Sequence, residues 1–388
     1  MKVKPADRAS SVQEYYFSSK LRQIDQMRNS GIDVINLGIG SPDQPPSERT
    51  VRRLAEEAAK PNVHGYQSYS GSPVLRKAMA DWYQKYFGVS LDPEGEIMPL
   101  IGSKEGIMHI SMAFVNPGDE VLIPDPGYPT YASATSLAGG KARTYDLTAS
   151  KGWLPDLEAI EAAGTENVKL MWVNYPHMPT GAKANIKFFD SLVSFAGRNN
   201  ILLCNDNPYS FILNNEYLSI LSADGAKDVA IELNSLSKSH NMAGWRIGMA
   251  ASNKEYITTV LRVKSNMDSG MFLPMQLAAA EALGNDQSWY DNVNMVYRER
   301  RVIAEKIMKA TGCRIDETQT GLFLWGKLPE NNNDCEKFSD DILNNTGVFL
   351  TPGFIFGKNG KGYMRISLCS KAEALEKALD RIVKYLNK

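Results

Sequence analysis

Lys238 stands in SLSKSHNMAGWRIG, the run from Ser235 to Gly248, with Ser235, Ser237 and Ser239 around it and Arg246 eight residues on. A largely apolar run, Val229 to Leu233, precedes it and small residues follow, so this lysine does not share the charged company of a surface helix. A lysine amine becomes a covalent catalyst when it forms a Schiff base with a carbonyl, either the substrate's or that of a pyridoxal cofactor. The second option demands further parts. A cofactor phosphate needs backbone N–H groups at a helix start, hydroxyls and a cation. The pyridine nitrogen needs a carboxylate to stay protonated and draw electrons. The ring wants an aromatic face, and a substrate amino acid wants an arginine for its carboxylate.

Candidates for each part are present. Ile101-Gly-Ser103-Lys104-Glu-Gly106 follows a short apolar strand and opens a helix, the arrangement that binds phosphate with backbone amides. Ser235, Ser237 and Arg246 flank Lys238 and can complete the anion cup. Asp206 closes the apolar run Ile201 to Cys204, which puts a carboxylate at a strand's carboxyl end, and Tyr209 follows within reach of the same ring. Pro124-Asp-Pro-Gly-Tyr128 sets an aromatic side chain after another strand. Taken singly, each has a plain structural use: a turn aspartate, a packing tyrosine, an ordinary helix cap, a surface arginine. Their joint occurrence in one chain carries the argument.

The elements that must position these residues alternate along the chain. Short apolar runs at Glu120 to Ile123, Val168 to Val173, Ile201 to Cys204 and Val229 to Leu233 alternate with helical stretches at Ser72 to Tyr86, Gly106 to Val115 and Ile186 to Ala196. That alternation predicts an α/β architecture with a mostly parallel sheet buried on both faces, whose ligands bind at the carboxyl ends of the strands. A helix from about Ser11 to Ser30, stopped by Gly31, precedes an INLGIG strand and a proline-rich connection, Pro42 to Pro46. From about Trp289 a long charged helix leads to the strands GLFLWGKL and GYMRISL and a closing helix, Lys371 to Leu386. The expected division is a large domain over 46–288 and a smaller α+β domain built from 1–45 and 289–388.

Composition and failed motifs narrow the function. With 388 residues the chain can hold two cores. Its 43 basic residues against 44 acidic ones give no net field for nucleic acid or an anionic membrane, so the expected partner is a small molecule. The four cysteines lack CxxC spacing, and the start of the chain lacks an apolar signal core, which points to a reducing, cytoplasmic setting. Gly38-Ile-Gly40 has no third glycine, and Pro42 stands where a dinucleotide-binding helix would begin. Gly321-Leu-Phe-Leu-Trp-Gly326-Lys327 has P-loop spacing but bulky apolar residues, with Leu328 at the metal-binding hydroxyl position, and reads as a strand. His64, His109, His177 and His240 form no i,i+4 pair and no HExxH, so no metal is expected.

On these residues the chain resembles, over nearly its whole length, the fold-type I pyridoxal-phosphate-dependent aminotransferases of class I/II, aspartate aminotransferase among them. SLSKSHNMAGWRIG is the most specific element, and NLGIGSPD, GYQSYSGSPVLRKAM, GSKEGI, PGYPTY, NYPHMPTGA, NDNPYSFI and GYMRISL support it in family order. The resemblance implies a large domain with a mostly parallel seven-stranded sheet, a smaller α+β domain, pyridoxal 5'-phosphate as cofactor and a homodimer. It makes Lys238 the Schiff-base lysine and proton shuttle, Asp206 the partner of the pyridine nitrogen and Tyr209 the donor to the ring's phenolic oxygen. Ser103, Lys104 by its backbone, Ser235 and Arg246 would hold the phosphate, with Tyr66 reaching it from a neighbouring subunit and Ser237, beside Lys238, able to complete the anion cup. Tyr128 would stack on the ring, Arg365 would grip the substrate α-carboxylate, and Gly40 and Asn174 would adjoin it.

One position departs from the family. Asparagine usually precedes the PTG of NYPHMPTGA and donates to the phenolic oxygen; here Met178 stands there, and a thioether cannot donate. Either His177, Asn174 or a water takes over, or the oxygen keeps only Tyr209 and the lysine–cofactor imine holds its proton more tightly. The implied reaction moves the amino group of an L-amino acid to a 2-oxo acid. Lys104 stands where some bacterial aspartate aminotransferases place a lysine near the distal carboxylate, so the resemblance makes an acidic substrate, aspartate or glutamate, the first expectation. Tyr15, Tyr16, Phe17, Phe354 and Phe356 suit aromatic, methionine or LL-diaminopimelate-like substrates instead, and C–S lyases share the scaffold.

Overall fold

The computed structural model describes residues 3–10 and 16–387. Its largest sheet has seven strands: β1 (Ile97–Leu100), β2 (Glu120–Asp125), β3 (Lys141–Asp146), β4 (Val168–Val173), β5 (Leu202–Asp206), β6 (Ala230–Ser235) and β7 (Gly248–Ala251). They lie side by side in the order β1-β7-β6-β5-β4-β2-β3. Six strands run the same way and β7 is antiparallel to both of its neighbours. The apolar runs form strands because helices cover them on both faces. Leu170 and Trp172 of β4 enter one apolar cluster and Met171 and Val173 the other, as the two-residue period of a strand dictates.

The helices start and stop where local chemistry directs. Ser72 caps Pro73–Phe87 by accepting from the Leu75 N–H, and Gly88 ends that helix in the left-handed conformation. Asn185 caps Ile186–Asn199 in the same way. The helix expected from Gly106 begins earlier, at Ser103, so Ser103 and Lys104 occupy its first turn. The N-terminal helix covers Tyr16–Asn29; residues 11–15, including Tyr15, lie outside the described part.

A second, antiparallel sheet of four strands joins Thr351–Pro352, Tyr363–Ser367, Phe323–Lys327 and Arg314–Ile315, in that order. The helices Gln287–Ala310, Cys335–Thr346 and Ala372–Leu386 accompany it. Only Ile35–Asn36 of the expected INLGIG strand is a strand, paired in parallel with Val348–Phe349. Beyond it, the Leu37 N–H donates to the Phe349 carbonyl at 3.0 Å and the Leu37 carbonyl accepts from the Ser367 N–H at 2.8 Å. The N-terminal segment thus joins the C-terminal region, and its backbone changes partner from one strand to the next. Gly38 and Gly40 serve close packing: a Cβ would lie 2.6 Å from the Phe349 ring and 2.3 Å from the Phe323 ring, respectively. Phe323–Lys327 is a strand, as its bulky residues require.

Candidate active site

A cavity of about 430 Å³ opens at the carboxyl ends of the parallel strands. Its wall contains Gly40, Ser103, Lys104, Tyr128, Asn174, Asp206, Tyr209, Ser235, Ser237, Lys238, Arg246 and Arg365. The topology brings them together because Asp206 ends β5, Ser235 ends β6, and Tyr128 and Asn174 follow β2 and β4. Of the residues expected to hold the cofactor or the substrate carboxylate, Tyr66 alone is absent from this wall, and it is 93% exposed; of the aromatic residues suggested for a substrate pocket, Phe17 and Phe356 line it, whereas Tyr16 and Phe354 do not.

At one end the wall is suited to an anion. The twelve-residue helix Ser103–Phe114 starts after Gly102 with no side-chain cap, which leaves its first-turn N–H groups turned out at the positive end of the helix dipole. Gly102 has φ +80°, and a Cβ there would lie 2.2 Å from Arg246 Nη2, so only glycine lets the guanidinium close on that turn. Arg246 itself sits at φ +60° and donates from Nη1 to the Ala243 carbonyl at 2.9 Å, which fixes its base. The hydroxyls of Ser235 and Ser237 lie 2.9 Å apart beside it. Lys104 is exposed and turns one face to the cavity.

Deeper in, Asp206 is buried. Its Oδ2 accepts from the Tyr131 hydroxyl at 3.1 Å, while Oδ1 has no hydrogen-bond partner. Burial pushes this carboxyl up to about 7, against the pull of the Tyr131 and Ser103 hydroxyls. A buried carboxylate oxygen without a donor calls for a cationic N–H. A protonated pyridine nitrogen is such a donor, and the Arg246 cradle matches a phosphate. The residues therefore fit pyridoxal phosphate.

Lys238 reaches into the same cavity from the helical turn that Ser235 caps. Its amine donates to the Gly40 carbonyl. Burial, aided by the cations of Arg365 and Arg246, lowers its pKa from the ordinary lysine value, which raises the fraction of neutral, nucleophilic amine. Tyr209 lines the wall with its ring edge-on to Phe323 at 5.9 Å, and burial holds its hydroxyl protonated.

Arg365, on Tyr363–Ser367, is 5% exposed and ion-pairs with no carboxylate among the described residues. Nη2 donates to the Gly38 carbonyl at 2.7 Å and Nη1 lies 3.3 Å from the Met178 sulfur, while Nε has no partner. The guanidinium carbon lies 4.0 Å from the Phe323 ring centre, 4.7 Å from that of Phe356 and 5.7 Å from that of Phe17. A buried guanidinium that lacks a counter-ion is an acceptor site for a carboxylate.

Of the two side chains considered as substitutes at the Met178 position, Asn174 is engaged elsewhere, and His177 keeps a partnerless Nε2 but does not line the cavity. The Asn174 amide donates to the Asp206 carbonyl and its oxygen accepts from the Met178 N–H at 2.8 Å. His177 Nδ1 pairs with the Thr180 hydroxyl at 2.8 Å, and burial drops the ring's pKa to about 3. The sequence reading missed Tyr131 as the Asp206 partner, although it lies in PGYPTY, and missed Phe323 as the platform under Arg365. Period-two alternation marks Phe323 only as a core residue. It also missed a group formed by Glu105, His109 and Asp268, whose ligand atoms fall within 4.8 Å. Lys264 already supplies Asp268 with a cation, 2.8 Å from its Oδ1.

Comparison with known proteins agrees with this geometry. The family description "Aminotransferase class I and II" matches residues 32–382. The LL-diaminopimelate aminotransferase of Moorella thermoacetica is 41% identical over 388 residues, covering 100% of this chain and 99% of the relative. That of Desulforudis audaxviator is 42% identical over 379 residues, 97% of this chain and 96% of the relative. The substrate-bound BacF structure from Bacillus subtilis superposes with a TM-score of 0.95 at 35% identity, covering 99% of this chain and 98% of that one. With sequence, fold and site in agreement, the chain belongs to the class I and II aminotransferases, enzymes that work with pyridoxal phosphate.

Proposed function

We propose that this aminotransferase moves the amino group of an L-amino acid to a 2-oxo acid in two half-reactions at the cavity between 46–288 and the region formed by 1–45 and 289–388. The observation that carries this reading is the buried, partnerless Oδ1 of Asp206 in the same cavity as the low-pKa amine of Lys238. When bound, pyridoxal phosphate supplies the aldehyde carbon that takes the amino group and a ring that spreads the charge left at the substrate's α-carbon. Arg246, Ser235, Ser237 and the first-turn amides of Ser103 and Lys104 hold the phosphate. Asp206 would keep the proton on the ring nitrogen, Tyr128 would cover the ring and Tyr209 would donate to its phenolic oxygen. Arg365 takes the substrate α-carboxylate beside Gly40 and Asn174. The Lys238 amine, whose pKa burial lowers, would serve as the base that takes and returns the substrate's α-proton. Borohydride reduction of the yellow holoenzyme should fix the cofactor on a peptide containing Lys238; fixation elsewhere, or none, refutes the assignment.

The amino donor favoured here is a diaminopimelate-like amino acid, because relatives about two-fifths identical over the whole chain carry that activity in their names. The aspartate expectation from Lys104 ranks below it: that lysine is exposed at the rim, where water screens a distal carboxylate. A second reading rests on the apolar wall formed by Phe17, Leu21, Ile39 and Phe356, which suits an aromatic side chain. Initial rates with LL-diaminopimelate, aspartate and phenylalanine, each with 2-oxoglutarate as acceptor, separate the three. Release of pyruvate and a thiol from a sulfur amino acid would instead support the C–S lyase alternative.

The assembly we propose is a homodimer in which Tyr66 completes the phosphate site of the other subunit. Tyr66, Tyr69, Met267 and Phe272 are all exposed, and Phe272 stacks on His64 at 5.8 Å, two residues from Tyr66. No helix among the described residues is long and apolar enough to cross a membrane, and the cytoplasmic setting rests on the composition and the cysteines, which are all free and buried.

A further inference from the structure

The loop that joins Gly353–Phe356 to Lys358–Gly360 is fastened to the carboxyl ends of β2 and β3 by contacts that amino transfer does not use. Asp125, the last residue of β2, accepts from the Lys358 N–H at 3.1 Å and from the Asn359 N–H at 2.9 Å. The Asn359 amide donates to the Asp125 carbonyl at 3.1 Å and to Asp146 Oδ1 at 2.7 Å. Lys358 Nζ lies 3.0 Å from that same Asp146 oxygen. The Gly127 N–H donates to the Phe356 carbonyl at 2.8 Å. Gly357 has φ +136°, and a Cβ there would lie 2.2 Å from Asp125 Oδ1, so the loop fits the carboxylate with no room for a side chain.

Both partners lead straight into the active site. Tyr128 follows Asp125 by three residues and Phe356 precedes Gly357, and both line the cavity, whereas Asp125 does not. Phe356 packs 4.7 Å from the Arg365 guanidinium carbon. Asp125 is 3% exposed. A carboxylate costs stability when buried unless its hydrogen bonds are made, and an ordinary surface loop needs none.

We propose that Asp125 is a positioning residue for substrate recognition: by locking the Phe356 loop against the Tyr128 segment, it holds the Arg365 guanidinium where it meets the substrate carboxylate. It acts through Phe356 and touches neither substrate nor cofactor. Its removal loosens one wall of the carboxylate site and removes no contact of the phosphate cradle, since among the described residues the Asp125 carboxylate bonds only to the 358–359 loop.

The test uses the holoenzyme and two amine-free carboxylates, hydrocinnamate and maleate, with binding read from the change in cofactor absorbance. Asp125→Ala should weaken binding of the tighter one about tenfold, from the loss of two hydrogen bonds to a carboxylate. Asp125→Asn, whose amide oxygen keeps one acceptor, should fall between it and the wild type. Pyridoxal phosphate titrated into the apoenzyme should bind within about twofold of the wild type in every variant, on the scale of an untouched site. Asn359→Ala strikes the same clasp from the exposed side and decides the matter if Asp125→Ala does not fold. Unchanged carboxylate binding in Asn359→Ala and Asp125→Ala, or an equal loss of cofactor and carboxylate affinity, overturns the proposal. If the wild type binds neither carboxylate, the role of Arg365 falls, and the proposal with it.

Discussion

At the scale of single residues, Asp206 sets the strongest expectation. Its carboxyl sits at about 7 in the folded chain because burial disfavours the charge, against an ordinary value of 3.8. The folded state therefore holds the proton more readily than the unfolded one. Stability from this group is full below the ordinary value and declines between the two as pH rises, by at most about 1.4 kcal/mol per pH unit. Apoenzyme should lose melting temperature from pH 5 to 8, and apo Asp206→Asn should lose less; parallel curves refute the link. In the holoenzyme Asp206→Asn should lower kcat by about 10²- to 10³-fold, as loss of a preorganised charge partner does. Met178 gives a second test. With the Asn174 amide engaged elsewhere and His177 outside the cavity wall, Met178→Asn should lower the midpoint of the yellow-to-colourless pH titration. An unmoved midpoint shows that the thioether is silent. Lys238, Asp206 and Arg246 were legible in the sequence because their types and spacing are chemical requirements. Tyr131 was not, since a tyrosine in a helix advertises packing until a carboxylate is seen beside it.

Among the elements, the start of Ser103–Phe114 matters most, because an uncapped first turn and a left-handed glycine are both spent on one anion. Gly102→Ala places a methyl 2.2 Å from Arg246 Nη2, at a φ that side chains rarely adopt. Its apoenzyme should bind pyridoxal phosphate about five- to a hundredfold more weakly, the effect of a strained backbone that costs about 1–3 kcal/mol. Absorbance titration measures this, and unchanged affinity would mean that the cradle does not depend on that turn. The strands of the large sheet were readable from their apolar runs, β4 to the residue. The INLGIG segment was not: the same apolar letters serve an extended loop when two different strands supply its backbone partners. Helix ends were legible where a cap marks them, as at Ser72, and less exactly at Ser103, where the phosphate-binding pattern placed the opening turn but the apolar period alone began only at Gly106.

For the whole molecule, the question is whether one chain completes one site. Tyr66 is exposed and lies off the cavity of its own chain. If it serves a neighbour, inactive Tyr66→Ala and Lys238→Ala homodimers, dissociated and mixed, should regain about a quarter of wild-type activity, because half of the random pairs are hybrids with one intact site of two. No recovery places the tyrosine's role within its own chain. The sequence could place Tyr66 only by resemblance, since no periodicity within one chain records what a second copy brings. A last consequence follows from the contact between the Lys238 amine and the Gly40 carbonyl. Gly40 belongs to the segment slung from Phe349 and Ser367, so the reactive nitrogen also moors that strap to the large sheet. Once the amine is committed to the vitamer, the mooring is cast off. Charging the protein with its cofactor should then quicken deuterium uptake at Ile39 and Gly40.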